Sequence, residues 1–71
     1  MVISGQPTRR VLRELRAEGF TPVRSRGSHS LWRHPSGTAI VVPDGHATIS
    51  PGVYRQVRGA IASARSTEGE R

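Results

Sequence analysis

Arg24-Ser25-Arg26-Gly27-Ser28-His29-Ser30-Leu31-Trp32-Arg33-His34-Pro35 is the stretch on which the fold turns. Gly27 separates a segment of alternating arginines from one that alternates small or polar residues with apolar ones, the pattern of a tight junction between two antiparallel strands. In the second strand, Ser28 to His34, successive side chains point to opposite faces. His29, Leu31 and Arg33 therefore share one face, and Ser30, Trp32 and His34 share the other. The Trp32 face is the one expected to pack against helices. That leaves His29 and Arg33 on an open face, with Leu31 as an apolar residue among them. His29 then stands near the strand's start, with Arg24, Arg26 and Arg33 around it.

The flanks complete the order of elements. Upstream, Val11, Leu12 and Leu15 recur with helical spacing between Thr8 and Glu18. Ser4 or Thr8 can cap this helix, Pro7 is tolerated in a first turn, and Gly19 stops it. Phe20, just past the glycine, can fold back onto Leu15. From Phe20 to Arg26, Thr21, Val23 and Ser25 alternate with Pro22, Arg24 and Arg26, and Pro22 belongs at the strand's start or on an edge. Downstream, Pro35-Ser36-Gly37 is a hairpin turn and Thr38 to Val42 a β-branched strand, while Pro43 to Thr48 reads as loop. Ser50-Pro51 is a cap followed by proline at the first helical position. Val53, Tyr54, Val57 and Ile61 give the second helix its apolar stripe. Ser63 to Arg71 is polar and aperiodic, and is expected to fray. The order helix, three antiparallel strands, helix predicts an α+β two-layer sandwich with one sheet face covered. All 71 residues make a single domain, with its ordered core at about 4–62.

The composition limits what such a domain can do. Leu, Ile, Val and Phe supply only 15 of 71 residues, so the core is small and the stability margin thin. No cysteine is present to staple it or to bind a metal as thiolate. The formal net charge is +6, carried by eleven arginines and no lysine. A small domain this basic gathers polyanions, which points to nucleic acid or an acidic protein partner. No apolar run approaches the ~20 residues of a membrane span, and the first residues lack the charged flank of a signal peptide. Neither a membrane nor export is expected; a cytoplasmic location is.

A titratable imidazole among guanidinium groups suits the holding and cutting of a phosphodiester. RNA brings its own nucleophile, the ribose 2′-hydroxyl, so cleavage needs proton transfer and charge stabilisation rather than a metal. An imidazole, with an unperturbed pKa of ~6.5, can give or take that proton near neutrality. Arginine forks match phosphate oxygens bidentately. His29 is thus the candidate acid–base residue. Arg24, Arg26 and Arg33 are candidate phosphate ligands, and Ser28 joins them as a candidate RNA contact. Asp44 is the only acidic residue between the helices, so a two-metal site is not expected, nor is any cofactor. His34 reads as a strand-end packing or turn residue, His46 as an exposed loop histidine with reach to the site as the alternative, and Trp32 as core rather than a stacking platform. A non-catalytic RNA-binding module of the same fold is the alternative. A DNA-binding protein is disfavoured, since no helix-turn-helix pattern is visible.

Several elements at their spacing resemble one family. They are Gly19-Phe20, Arg24-x-Arg26-Gly27-Ser28-His29, His34-Pro35-x-Gly37, Val42-Pro43 and Pro51-Gly52-x-Tyr54-Arg55. Together they look like the HicA toxins, over about Ser4 to Ile61. The resemblance implies a fold like a double-stranded-RNA-binding domain. It also implies an endoribonuclease (mRNA interferase) that cleaves messenger RNA, a cognate HicB-like antitoxin, and His29 as the catalytic residue. Three departures stand out. Ser30 replaces a histidine that many members carry after the catalytic one. Gly45 stands where many have another histidine, with His46 one place on. Tyr54, Arg58 and Gly59 partly replace aliphatic residues of the last helix. The resemblance therefore carries over no assisting histidine.

Overall fold

The computed structural model of the chain describes residues 5–69. Thr8–Ala17 forms α1, whose Val11 and Leu15, one turn apart, are fully buried. The helix closes in a Schellman arrangement: the Phe20 N–H donates to the Leu15 carbonyl and the Gly19 N–H to that of Arg16, both at 3.0 Å. Phe20 and Leu15 then meet in one core, as expected from the sequence.

The start of α1 is built differently from the sequence expectation. Pro7 occupies the cap position and offers no side-chain hydrogen bond. Thr8 is the first helical residue rather than a cap: its hydroxyl donates to the His46 carbonyl and its N–H to the Ala47 carbonyl. Ser4, the other expected cap, lies outside the described residues. A two-residue strand β1, Gln6–Pro7, pairs antiparallel with Thr48–Ile49. Thr48 is therefore strand and not the end of a loop.

The main sheet contains β2 (Thr21–Arg26), β3 (His29–Arg33) and β4 (Ala39–Val42) in the order β2-β3-β4, all antiparallel. Trp32 opposes Ile40, and Ser30 opposes Val42, on the face turned to the helices. Buried Trp32 and Val42, with Ile49 of β5 (Thr48–Ile49), complete the sheet's side of the core. The register shifts between Pro22 and Arg24, which leaves Val23 as a bulge. Simple alternation puts Val23 on one face with Ser25 and opposite Arg24; the extra residue instead leaves Val23 52% exposed.

Helix α2 runs Pro51–Gly69, and the Ser50 hydroxyl accepts the Val53 N–H at 3.3 Å, as Ser50-Pro51 predicts. The helix does not fray at Ser63. Ala64 continues the stripe of Val57 and Ile61 and is buried, and Arg65 reaches α1. The end of the expected tail, Glu70 and Arg71, lies outside the described residues. Two clasps join the helices. Glu14 accepts the Tyr54 hydroxyl at 3.0 Å and pairs with Arg58, while Glu18 meets Arg65 through two hydrogen bonds of 2.9 and 2.6 Å. The two-layer α+β sandwich of helix, three strands and helix is thus the observed fold. No helix among the described residues is long and apolar enough to cross a membrane.

The Glu18 clasp makes a pH-dependent contribution. The hydrogen bond from Arg65 holds the Glu18 carboxyl below its ordinary value of 4.5, and the positive charge of Arg65 adds to this. A carboxylate depressed in the folded state stabilises fully above its unfolded pKa and loses that contribution as pH falls through the folded value. Arg65 is exposed and Glu18 only partly buried, so the effect is small. Thermal melts of wild type and Glu18→Gln should differ slightly at pH 6, and the gap should close as pH drops below 4.5.

Candidate functional site

The open face of the sheet is arranged in rows fixed by the register. Arg26 opposes His29 in one row, Arg24, Leu31 and Val41 stand side by side in the next, and Thr21, Arg33 and Ala39 form the third. Trp32 fixes this parity, because its burial turns the neighbouring Leu31 and Arg33 outward. His29, Arg24 and Arg26 line one open cavity of about 500 Å³, with Ser30, Leu31 and Val41 as its remaining walls. The imidazole and both guanidinium-bearing residues are exposed.

The turn that delivers His29 is the two-residue Gly27-Ser28 junction. Gly27 adopts φ 60, and no non-glycine residue among those described has positive φ. That combination is the demand of a II′ hairpin turn, with glycine at its first central position. The Ser28 hydroxyl lies 3.3 Å from His29 Nδ1, so Nε2 is the nitrogen left to face a substrate. A second backbone device holds Ser28: the Gly45 N–H donates to the Ser28 carbonyl at 2.9 Å. The approach is so close that a Cβ on Gly45 would sit 2.7 Å from Ser28 Cα.

Not every expected residue joins this group. Arg33 lies four residues along β3 from His29, about 13 Å at the rise of a strand. It lines a separate hollow with Thr21, Val23 and Pro35, so it does not surround His29. His34 is buried on the other face, its ring centroid 5.1 Å from that of Phe20 and its Nδ1 accepting the Ser36 N–H at 2.9 Å. His46 is exposed and does not line the cavity. Trp32 is core, with the Arg16 guanidinium 5.1 Å over its ring.

Asp44 is the residue the sequence did not mark as part of the site. Its Oδ1 accepts the Ser30 hydroxyl at 2.9 Å, and its Oδ2 accepts the Trp32 indole N–H at 3.3 Å. Since Ser30 spends its only proton on Asp44, the Ser25 hydroxyl, 3.0 Å away, donates to Ser30. This chain of bonds ties β2, β3 and the loop after β4 together. A lone acidic residue after a strand gave no local signal, because both of its partners are more than ten residues away. Among the described residues no three His, Asp or Glu side chains converge to hold a metal ion.

A family described as HicA toxin of bacterial toxin-antitoxin matches the chain over residues 8–64. No curated protein matches the chain.

Removing the Asp44 acceptors leaves two donors beneath the site without that partner, a loss of about 1–3 kcal/mol for each that stays unsatisfied. Asp44→Ala should show that loss in urea unfolding followed by Trp32 fluorescence. Asp44→Ala combined with Ser30→Ala should lose less than the sum of the two single variants, because the residues act through one bond.

Proposed function

The chain belongs to the HicA family of toxins from bacterial toxin–antitoxin systems, and on that premise we propose that it is an endoribonuclease that cuts messenger RNA without a metal. The observation that carries this reading is the single cavity in which the imidazole of His29 meets Arg24 and Arg26. Arg26 stands directly across from His29, and Arg24 lies two residues further along the same strand. A phosphodiester bridging them would present its non-bridging oxygens to guanidinium forks and its ribose to the imidazole.

In the proposed reaction His29 takes the proton of the ribose 2′-hydroxyl as that oxygen attacks phosphorus. The bond from phosphorus to the 5′-oxygen breaks, and the proton is delivered to that leaving oxygen. The products are a 2′,3′-cyclic phosphate and a 5′-hydroxyl, so atoms and charge balance without a metal or a redox partner. Arg24 and Arg26 stabilise the negative charge that gathers on phosphorus in the transition state. Ser28, through Nδ1, orients the ring. Arg33, in its own hollow, would contact RNA away from the scissile phosphate. The chemistry of the carboxylates supports the metal-free reading, because both oxygens of Asp44 are committed to Ser30 and Trp32.

The proposed antagonist is a HicB-like antitoxin with an acidic surface that covers the open face and His29. Charge complementarity with a chain of net charge +6 would speed the encounter. The cytoplasm, where messenger RNA is translated, is the proposed site of action. His29 is the only histidine lining the cavity, and this keeps a non-catalytic RNA-binding module of the same fold as the second reading.

One experiment separates the two. Wild type and His29→Ala are incubated in EDTA with a labelled RNA and with its 2′-deoxy analogue. Cleavage by wild type alone, sparing the deoxy substrate and leaving 5′-hydroxyl ends, is expected. His29→Ala should lose about 10²–10⁴ in rate while still binding RNA. Equal binding and no cleavage by either protein selects the non-catalytic module.

A further inference from the structure

We infer that Leu31 and Val41 form a seat for the flat face of one unpaired base, so that the RNA is held as a single strand where its phosphate meets Arg24 and Arg26. This rests on the reading above that the open face binds RNA. Leu31 opposes Val41 across β3 and β4 and opposes Arg24 across β2 and β3, so the three side chains lie abreast. Val41 is 54% exposed, although it belongs to a short chain with few strongly apolar residues to spare. Both line the same cavity as His29, Arg24 and Arg26.

A surface with an anion-binding fork one strand spacing, about 4.8 Å, from an apolar floor fits a ligand that joins an anion to a flat apolar ring. A nucleotide is such a ligand. In an RNA duplex the base faces are stacked inside the helix and only edges reach the grooves. An apolar floor has no hydrogen-bonding group with which to meet an edge, so it can take only a base that has left the stack. No Asn, Gln, Asp or Glu lines the cavity among the described residues. The seat therefore discriminates single from double strands and tolerates any base, as face contacts do. A protein partner's apolar side chain is the competing occupant. The adjoining arginine favours the nucleotide, since an aliphatic side chain has no use for it.

The test uses two probes of equal length and charge. One is a 2′-O-methyl oligonucleotide, which its own 2′-oxygen cannot cut, and the other is an abasic backbone oligomer. Both are titrated into wild type, the double variant Leu31→Thr/Val41→Thr and Arg24→Ala, across a salt series. Threonine keeps the strand-forming shape at position 41, and circular dichroism checks the fold of each variant. The double variant should weaken the base-bearing probe about fivefold or more and leave the abasic probe and the salt slope unchanged. Arg24→Ala should weaken both probes and lower the salt slope by close to one phosphate contact. The inference is overturned if wild type binds the two probes alike, or if the double variant weakens both equally; the apolar row then belongs to a protein partner. Cleavage of unmodified RNA is scored in parallel. Absent cleavage with an intact base effect sinks the nuclease and leaves the seat standing.

Discussion

The burial of Trp32 is the constraint on which the rest depends. The chain has one Phe, one Tyr and one Trp, so leaving its largest apolar side chain in water would forfeit a substantial part of a small core. Burying an indole brings its N–H along, and an unpartnered buried donor costs about 1–3 kcal/mol. Asp44 meets that demand from the loop after β4, and its second oxygen takes the Ser30 hydroxyl from the same strand. Once Trp32 and Ser30 face inward, the pleat of β3 leaves His29, Leu31 and Arg33 no choice of face. The candidate site is thus set by what lies beneath the strand.

The helical layer solves a different problem, namely how a second helix with few aliphatic residues stays docked. Val57, Ile61 and Ala64 supply its buried edge, Val53, Tyr54 and Ala60 pack partly against the core, and polar clasps to α1 add to them. Tyr54 and Arg58 share Glu14, and Arg65 takes Glu18 with both of its oxygens. Exposed ion pairs contribute little each, typically under ~1 kcal/mol. Their value here is directional: they fix which faces of the helices meet, while the apolar stripe supplies the attraction. Among the described residues the opposite face of the sheet has no such cover, and Val23 and Val41 are more than half exposed.

Local patterns carried much of this fold in the sequence. The alternation from His29 to His34 fixed the inward and outward faces, Gly19-Phe20 marked the Schellman end, and Ser50-Pro51 marked the start of α2. What escaped has physical reasons. Two residues are too few for a period, so the ribbon of Gln6–Pro7 with Thr48–Ile49 had no signature. A bulge at Val23 changes phase without changing composition. Helix α2 continued beyond Ser63 because Ala64 and Arg65 found partners on α1 and in the core, and a polar stretch does not announce partners so far away. For the site, the grouping of His29 with Arg24 and Arg26 was legible from the junction at Gly27, although Ser28 belongs to the turn and not to the strand. The separation of Arg33 followed from strand length, which alternation alone ignores.

The departures from the family pattern find their account in the same contacts. The Ser30 hydroxyl is engaged between Ser25 and Asp44, where it both accepts and donates. A histidine there would need room that a 6% exposed position lacks, and a different partner for Asp44. Gly45 lies against Ser28 so closely that any side chain would force the loop off the turn that presents His29. With Gly45 fixed by contact and Ser30 by hydrogen bonding, the position of His29 is governed largely by backbone: a II′ turn on one side and a loop N–H on the other. Such a site does not need neighbouring histidines to hold its ring in place. It needs Ser28 held still, and two separate backbone constraints converge on that residue.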